Sequence, residues 1–284
     1  MRGRILKNQN GYFSVADSSG TLQLCRSRGR LKRETDVLVG DVAEYEIPSG
    51  SDAQIIKILP RKNRLYRPPV ANIDTLVLVA SAKTPDLSLY VLDKMLILAE
   101  DADISPMICI NKCELAPDLA KETAAIYEKA GYTALCTSTV TGEGIEELKS
   151  LLSSGVIAFS GPSGVGKSSL LNLCLGRDTF AAGSVSEKTG RGKNTTRHAE
   201  LIAHGDAFFM DTPGYTSLSL ETVNPENLAF LFKEFRTYIG TCRFHNCRHI
   251  NEPDCRVREA AEMGKISPSR YQSYLRMTEE IVKK

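Results

Sequence analysis

The stretch Gly161-Pro162-Ser163-Gly164-Val165-Gly166-Lys167-Ser168 constrains this chain more than any other. It is the full G-x-x-x-x-G-K-[ST] pattern, and it lies between an apolar run, VIAF, and a helical pattern, SSLLNLCLG. A strand, a glycine loop and a helix in that order turn several backbone N–H groups and a helix N-terminus toward one point, which is how a protein cradles phosphates. Lys167 is then expected to reach the outer phosphates and Ser168 to ligate Mg²⁺. Gly161 to Ser169 form the expected phosphate loop. Such a loop needs a mostly parallel, helix-covered sheet around it. Residues 71–223 supply one: the apolar runs DTLVLVAS, PMICIN, TALCTS, GVIAFS, AELIA and DAFFMD alternate with helical patterns near Leu87–Ala102, Asp118–Lys129, Gly144–Leu152 and Lys167–Leu175. The loop by itself does not distinguish ATP from GTP.

Further motifs fall at the ends of these strands. MDTPG, Met210–Gly214, closes the run DAFF, where Asp211 is expected to hold Mg²⁺ through water and the Gly214 N–H to meet a γ-phosphate. Between it and the phosphate loop lies SEKTGRGKNTTRH, polar and without core periodicity. It is read as a switch loop, with Thr195 or Thr196 able to ligate Mg²⁺ and Thr196 favoured. Asn111-Lys112-Cys113-Glu114 follows the strand PMICIN and resembles the guanine-reading loop Asn-Lys-x-Asp. A carboxylate there pairs the N1–H and exocyclic amine of guanine, donors that adenine lacks, while the Lys stem packs on the ring. CTSTVTGEG, with Ser138, resembles its companion loop. These elements run in the order base loop, Ser loop, phosphate loop, switch threonine, DTPG. That is the usual GTPase cycle cut at a different point, a circular permutation that leaves the sheet intact because domain termini often lie close together.

The flanks differ from the middle. Residues 1–60 read as five short strands, GRILK, YFSVAD, TLQLCRS, DVAEYEI and QIIKILP, split by turn signals. Such a pattern fits a small OB-like barrel, a fold that often binds RNA. Arg26–Arg33 forms a basic run, and PRKNRLYRPPV reads as a basic linker because Pro68 and Pro69 interrupt regular structure. Beyond residue 224, NLAFLFKEFRTY reads as an amphipathic helix, and two more helical stretches cover Arg256–Met263 and Ser267–Val282. Between them Cys242, Cys247, His249 and Cys255 make C-x4-C-x-H-x5-C, a set suited to one structural zinc per chain, with His245 a spare donor. Charge follows the same division. Residues 1–70 carry 13 Lys/Arg against 7 Asp/Glu, residues 71–235 carry 13 against 21, and residues 236–284 carry 10 against 6. Basic ends around an acidic middle suggest an anionic partner held by the ends. No run of about 18 apolar residues is present, and the N-terminus has no signal-like apolar core, so a cytoplasmic protein is expected, with no membrane partner.

Together these motifs resemble the ribosome small-subunit-dependent GTPases, the RsgA family, over nearly the whole length. The resemblance rests on the OB-like N-terminus, the permuted order NKCE, TSTVTGEG, GPSGVGKSS, GRGKNTTR, DTPGY, and the Cys/His module. It implies three domains: residues 1–65 an RNA-binding barrel, 66–223 a circularly permuted P-loop GTPase, and 224–284 a mostly α zinc module. It also implies a GTPase, taking GTP and releasing GDP and phosphate, that binds the small (30S) ribosomal subunit through rRNA during late maturation. A monomer is expected. Two positions depart from the family: Glu114 stands where Asp is usual, and Asn194 where relatives often have His. A permuted switch acting on another RNA or ribonucleoprotein, and a non-catalytic GTP-dependent scaffold, are the alternatives.

Overall fold

The computed structural model describes residues 1–27, 36–49, 52–66, 68–177, 179, 200–212 and 219–282. Thr195, Thr196, Asn194, Gly214, Tyr215 and most of the Arg26–Arg33 run lie outside the described residues.

Strands β1 (Arg2–Gln9), β2 (Tyr12–Asp17), β3 (Leu22–Ser27), β4 (Val42–Glu46) and β5 (Ala53–Ile58) close into a barrel in the order β1-β2-β3-β5-β4. Alternation drives the closure: Ile5, Phe13, Val15, Cys25, Ala43, Tyr45, Ala53 and Ile55 all point inward and fill it. Asn10 and Gly11, both at positive φ, make the two-residue turn between β1 and β2, as an Asn-Gly hairpin requires. The expected five-strand barrel is therefore present.

The stretch expected as an irregular linker is not irregular. Strands β6 (Arg64–Tyr66) and β7 (Pro69–Ala71) pair antiparallel, with Tyr66 opposite Pro69. Pro69 is tolerated because it is the first residue of its strand, where no ladder hydrogen bond from its nitrogen is needed.

The central sheet follows: β8 (Thr75–Ser81), α1 (Leu89–Asp101), β9 (Ser105–Asn111), α2 (Pro117–Lys129), β10 (Thr133–Cys136), α3 (Ile145–Leu151), β11 (Ser154–Ser160), α4 (Lys167–Leu175), then β12 (Ile202–His204) and β13 (Asp206–Asp211). The sheet order is β10-β9-β8-β11-β13-β12. Neighbours pair in parallel, except that β12 runs antiparallel to β13 at the edge. Apolar clusters cover both faces, one built on Leu76, Leu78, Ile108 and Ala158, the other on Val77, Val79, Ile157 and Phe159. Strands buried on both sides explain why these runs are apolar throughout rather than alternating.

The C-terminal module holds α5 (Leu228–Leu231), α6 (Arg256–Glu262) and α7 (Pro268–Val282). The single amphipathic helix expected over NLAFLFKEFRTY is broken. Phe232 is extended, at φ −85° and ψ 103°, and a short 3₁₀ turn covers Lys233–Phe235. Across the break Phe232 and Phe235 both enter the module's core, stacked with ring centroids 4.9 Å apart and joined by Tyr274. Helix propensity is a weak prior that tertiary context routinely overrides. Among the described residues no helix is long and apolar enough to cross a membrane.

Candidate nucleotide site and Cys/His cluster

The phosphate loop leaves β11, the Asn111 loop leaves β9, the Ser138 loop leaves β10, and Asp211 ends β13. All four leave the carboxyl ends of parallel strands. Strand order reverses between β8 and β11, and the crevice at such a switch point is where open α/β sheets bind ligands.

The expected base loop and phosphate loop are held together directly. The Asn111 side chain is buried and donates from Nδ2 to the Val165 carbonyl at 2.8 Å. Gly166 has φ 98°, and a Cβ there would run into that same Asn111 amide, so only glycine fits. Lys112, itself left-handed at φ 58°, donates from Nζ to the carbonyls of Gly164 and Thr84, each at 2.7 Å. Cys113 is buried, and burial pushes its thiol up to about 12. Its backbone N–H donates to the Thr137 carbonyl at 3.1 Å. Glu114 Oε2 is buried and has no hydrogen-bond partner among the described residues. A buried carboxylate oxygen in that state costs free energy that a pair of ligand N–H groups would recover. Ser138 is buried; its Oγ accepts the N–H groups of Val140 and Thr141 at 3.2 and 3.0 Å, which shapes the loop rather than reaching into the crevice.

On the phosphate side, Lys167 donates from Nζ to the carbonyls of Gly161 and Pro162, both at 2.9 Å. Burial pulls its ammonium pKa down, opposed by the nearby Asp211 carboxylate. Ser168 Oγ donates to Asp211 Oδ2 at 2.9 Å, so a hydroxyl and a carboxylate meet at one point. Oxygen donors of this kind suit a hard cation such as Mg²⁺. Gly161, Pro162, Ser163, Gly164 and Val165 form the turn between β11 and α4, and Ser169 lies in the first turn of α4.

Three contributors were not singled out in the sequence. Thr137, fully buried, donates from Oγ1 to Asn111 Oδ1 at 3.2 Å and fixes which way that amide faces. Thr84 supplies the second anchor for Lys112. Thr212 ties the end of β13 to β11 through two bonds to the Phe159 carbonyl, 2.8 Å from Oγ1 and 3.1 Å from N–H. Thr137 precedes Ser138 in TSTVTGEG, so adjacency was its one available signal. Thr212 likewise follows Asp211 inside MDTPG, whereas nothing in the sequence marks Thr84.

Away from this crevice, the ligand atoms of Cys242, Cys247, His249 and Cys255 all lie within 4.8 Å of one another. A tetrahedral zinc with bonds of about 2.0–2.3 Å has ligand–ligand edges of about 3.3–3.8 Å. His249 Nδ1 stands 3.6 Å from Cys242 Sγ and 3.4 Å from Cys255 Sγ, already within that range. Burial among neighbouring thiols pushes Cys247 up to about 12, and burial lowers His249. Closely set thiols of this kind fit a metal that would replace their protons.

Family comparison agrees with this geometry. The RsgA GTPase model matches residues 58–221, and the RsgA N-terminal domain model matches residues 2–55. The chain belongs to the RsgA GTPase family. It is 42% identical over 287 residues to the Small ribosomal subunit biogenesis GTPase RsgA of Caldanaerobacter subterraneus subsp. tengcongensis, covering 100% of this chain and 97% of that one. The protein of the same description from Geobacillus thermodenitrificans is 42% identical, with 98% and 97% covered. The crystal structure of YloQ, described as a circularly permuted GTPase, superposes with TM-score 0.84 at 31% identity, covering 99% of this chain and 95% of that chain. YjeQ from Thermotoga maritima gives 0.86 at 36% identity, covering 100% and 99%. The permuted strand and loop order of this RsgA-family GTPase is thus shared with solved structures.

Proposed function

We propose that this GTPase binds the small ribosomal subunit, assists its late maturation, and hydrolyses GTP faster when bound there. The observation that carries the reading is the clamp of Asn111 and Lys112 on Val165 and Gly164. It sets a base-reading loop and a phosphate loop at a fixed separation, as a guanine nucleotide requires. Glu114 would pair the two guanine N–H groups, and Asn111, Lys112, Cys113 and Ser138 would frame the base. Gly161 through Ser169 would wrap the phosphates with backbone N–H groups and the N-terminus of α4. Lys167 would exchange its two carbonyl partners for phosphate oxygens. Ser168 and Asp211 would hold Mg²⁺, which when bound neutralises charge between the outer phosphates. Thr196 and Gly214 are proposed as the remaining γ-phosphate contacts.

The relatives are named for small-subunit biogenesis. That partner is carried to this chain by its basic ends, the barrel and the Cys/His module, whose excess positive charge suits rRNA. We take the units as residues 1–65, 66–223 and 224–284, the metal as one structural zinc, and the working form as a cytoplasmic monomer. The test is steady-state hydrolysis of GTP and of ATP, with and without purified small subunits, at low and high salt. Expected are preference for GTP and stimulation by subunits that weakens as salt screens phosphate contacts. Equal use of ATP, or a rate indifferent to subunits, would refute the reading.

A further inference from the structure

Strand β1 of the barrel carries a β-bulge. Its pairing with β2 shifts between Ile5, opposite Val15, and Lys7, opposite Ser14. Leu6 is the extra residue, and a bulge of this kind re-aims what it carries. The Leu6 carbonyl accepts the Leu201 N–H at 2.8 Å. Lys7 forms an isolated antiparallel bridge with Glu200, and its ammonium lies 2.7 Å from the Glu200 carboxylate. Leu6 and Leu201 are both buried and join one apolar cluster with Met210 of β13. Arg4, just before the bulge, lies over the Phe208 ring of β13, 5.3 Å from its centroid.

The chain that β1 grips leads straight to the nucleotide site. From Leu201 it enters β12, which pairs with β13 from Ile202–Phe209 to His204–Ala207. Strand β13 ends at Asp211, the carboxylate bonded to Ser168. The segment leading into this edge hairpin, at Glu200 and Leu201, and Phe208 of its second strand therefore touch the barrel, and that second strand ends in a proposed Mg²⁺ ligand.

We propose that the bulged segment Ile5–Lys7 is the control contact of the nucleotide site, through which a load on the barrel resets the β12–β13 hairpin and Asp211. The proposal rests on the reading that the small subunit engages the barrel. It assigns the stimulus a route: rRNA bound to the barrel shifts β1, β1 shifts Glu200–Leu201, and hydrolysis responds. The proposal extends to nucleotide binding: the same shift changes affinity for GTP against GDP, and by reciprocity of binding free energies nucleotide state then alters this seam.

The test uses the full chain with K7E, E200K and the swapped pair K7E/E200K. Subunit occupancy is matched by co-sedimentation, and the readout is the ratio of stimulated to unstimulated GTP turnover. Each single reversal sets like charges against each other and is expected to lower that ratio about fivefold or more, the lower range of ordinary coupling. The swap is expected to restore it. Single variants with the wild-type ratio would overturn the proposal, as would a swap no better than either reversal. Hydrogen exchange of residues 200–211, without ribosomes, provides a second measurement. Wild type is expected to differ there between GDP and a non-hydrolysable GTP analogue, and K7E to exchange faster and lose the difference. Identical exchange in wild type and K7E would sink the idea. A wild type that subunits fail to stimulate refutes the partner reading instead, and the exchange result then decides the contact.

Discussion

The C-terminal module and the barrel both lean on the GTPase sheet, one through buried charge and aromatic rings, the other through a bulged strand edge. Helix α1 shows the first kind of seam. Leu92, Met95, Leu96 and Ala99 face the sheet core, while Ile97 belongs to the core of the C-terminal module. A helix apolar nearly all round is one covered on every side. Across it Arg270 of α7, fully buried, donates to Asp93 of α1 at 2.7 Å and to Glu234 at 2.7 and 3.2 Å. Its guanidinium lies 4.7 Å from the Phe232 centroid, and Tyr127 of α2 donates to the same Asp93 at 2.9 Å. Burial alone would lower the Arg270 pKa, but Asp93 and Glu234 beside it raise it. On the barrel side the Lys7–Glu200 ion pair is half-exposed, with the Glu200 side chain 49% accessible. The thick seam makes the module an extension of the GTPase body. The barrel seam buries Leu6, Ala16 and Val39 in the sheet's core cluster but leaves its charge pairs partly exposed, and we take it as the more adjustable of the two.

The largest expected effect comes from removing the zinc proposed for the thick-seam module. Zinc bound by short peptides is worth about 10–16 kcal/mol of apparent binding free energy. Chelation, or Cys255→Ser, is expected to loosen residues 242–255 while GTP affinity is retained, because Phe232, Phe235, Tyr271 and Tyr274 still pack beneath. Limited proteolysis and metal analysis check this. The pH dependence has opposite signs with and without metal. In the metal-free chain the Cys247 thiol is held up at about 12. Its contribution to stability is therefore full below the ordinary thiol range, about 8.5, and is lost as pH rises toward the folded value. Metal binding needs thiolates, so retention of the ion should instead fail on acidification.

Next in size is Arg270→Ala. Removing one partner of a buried ion network typically costs about 3–5 kcal/mol, because the remaining charges are stranded. Chemical denaturation should show that loss. Arg270→Met with Asp93→Asn and Glu234→Gln should recover much of it, since no carboxylate is then left unpaired.

The seams were the part of the molecule least legible in the sequence. Periodicity marked α4 at its observed ends and α1, α2 and α3 to within two residues. The glycine loop and NKCE announced themselves by spacing. Asp93 and Arg270 are 177 positions apart, and each alone reads as an ordinary surface charge on a helix. Lys7 and Glu200 are equally distant in kind. Segment 227–238 misled because its pattern fits a helix: Leu228, Phe232 and Phe235, at i, i+4 and i+7, would share one helical face, and all three are buried although the helix breaks at Phe232. Pro68 and Pro69 misled because proline excludes a central strand but not the start of an edge ribbon. In each case a local rule was overruled by a partner far along the chain.

The smallest expected effect sharpens the contrast between seams. Lys7→Ala removes an ion pair at the barrel edge whose partners keep much of their contact with water. Such pairs are worth about 0–1 kcal/mol. The Leu201 N–H to Leu6 carbonyl bond, being backbone, survives the substitution, and so does burial of the two leucines. Denaturation of Lys7→Ala should therefore lie within about 1 kcal/mol of wild type, well below the loss from Arg270→Ala. A loss as large as that of Arg270→Ala would mean that the barrel is fixed to the sheet as firmly as the C-terminal module, and the distinction between a rigid and an adjustable seam would fall.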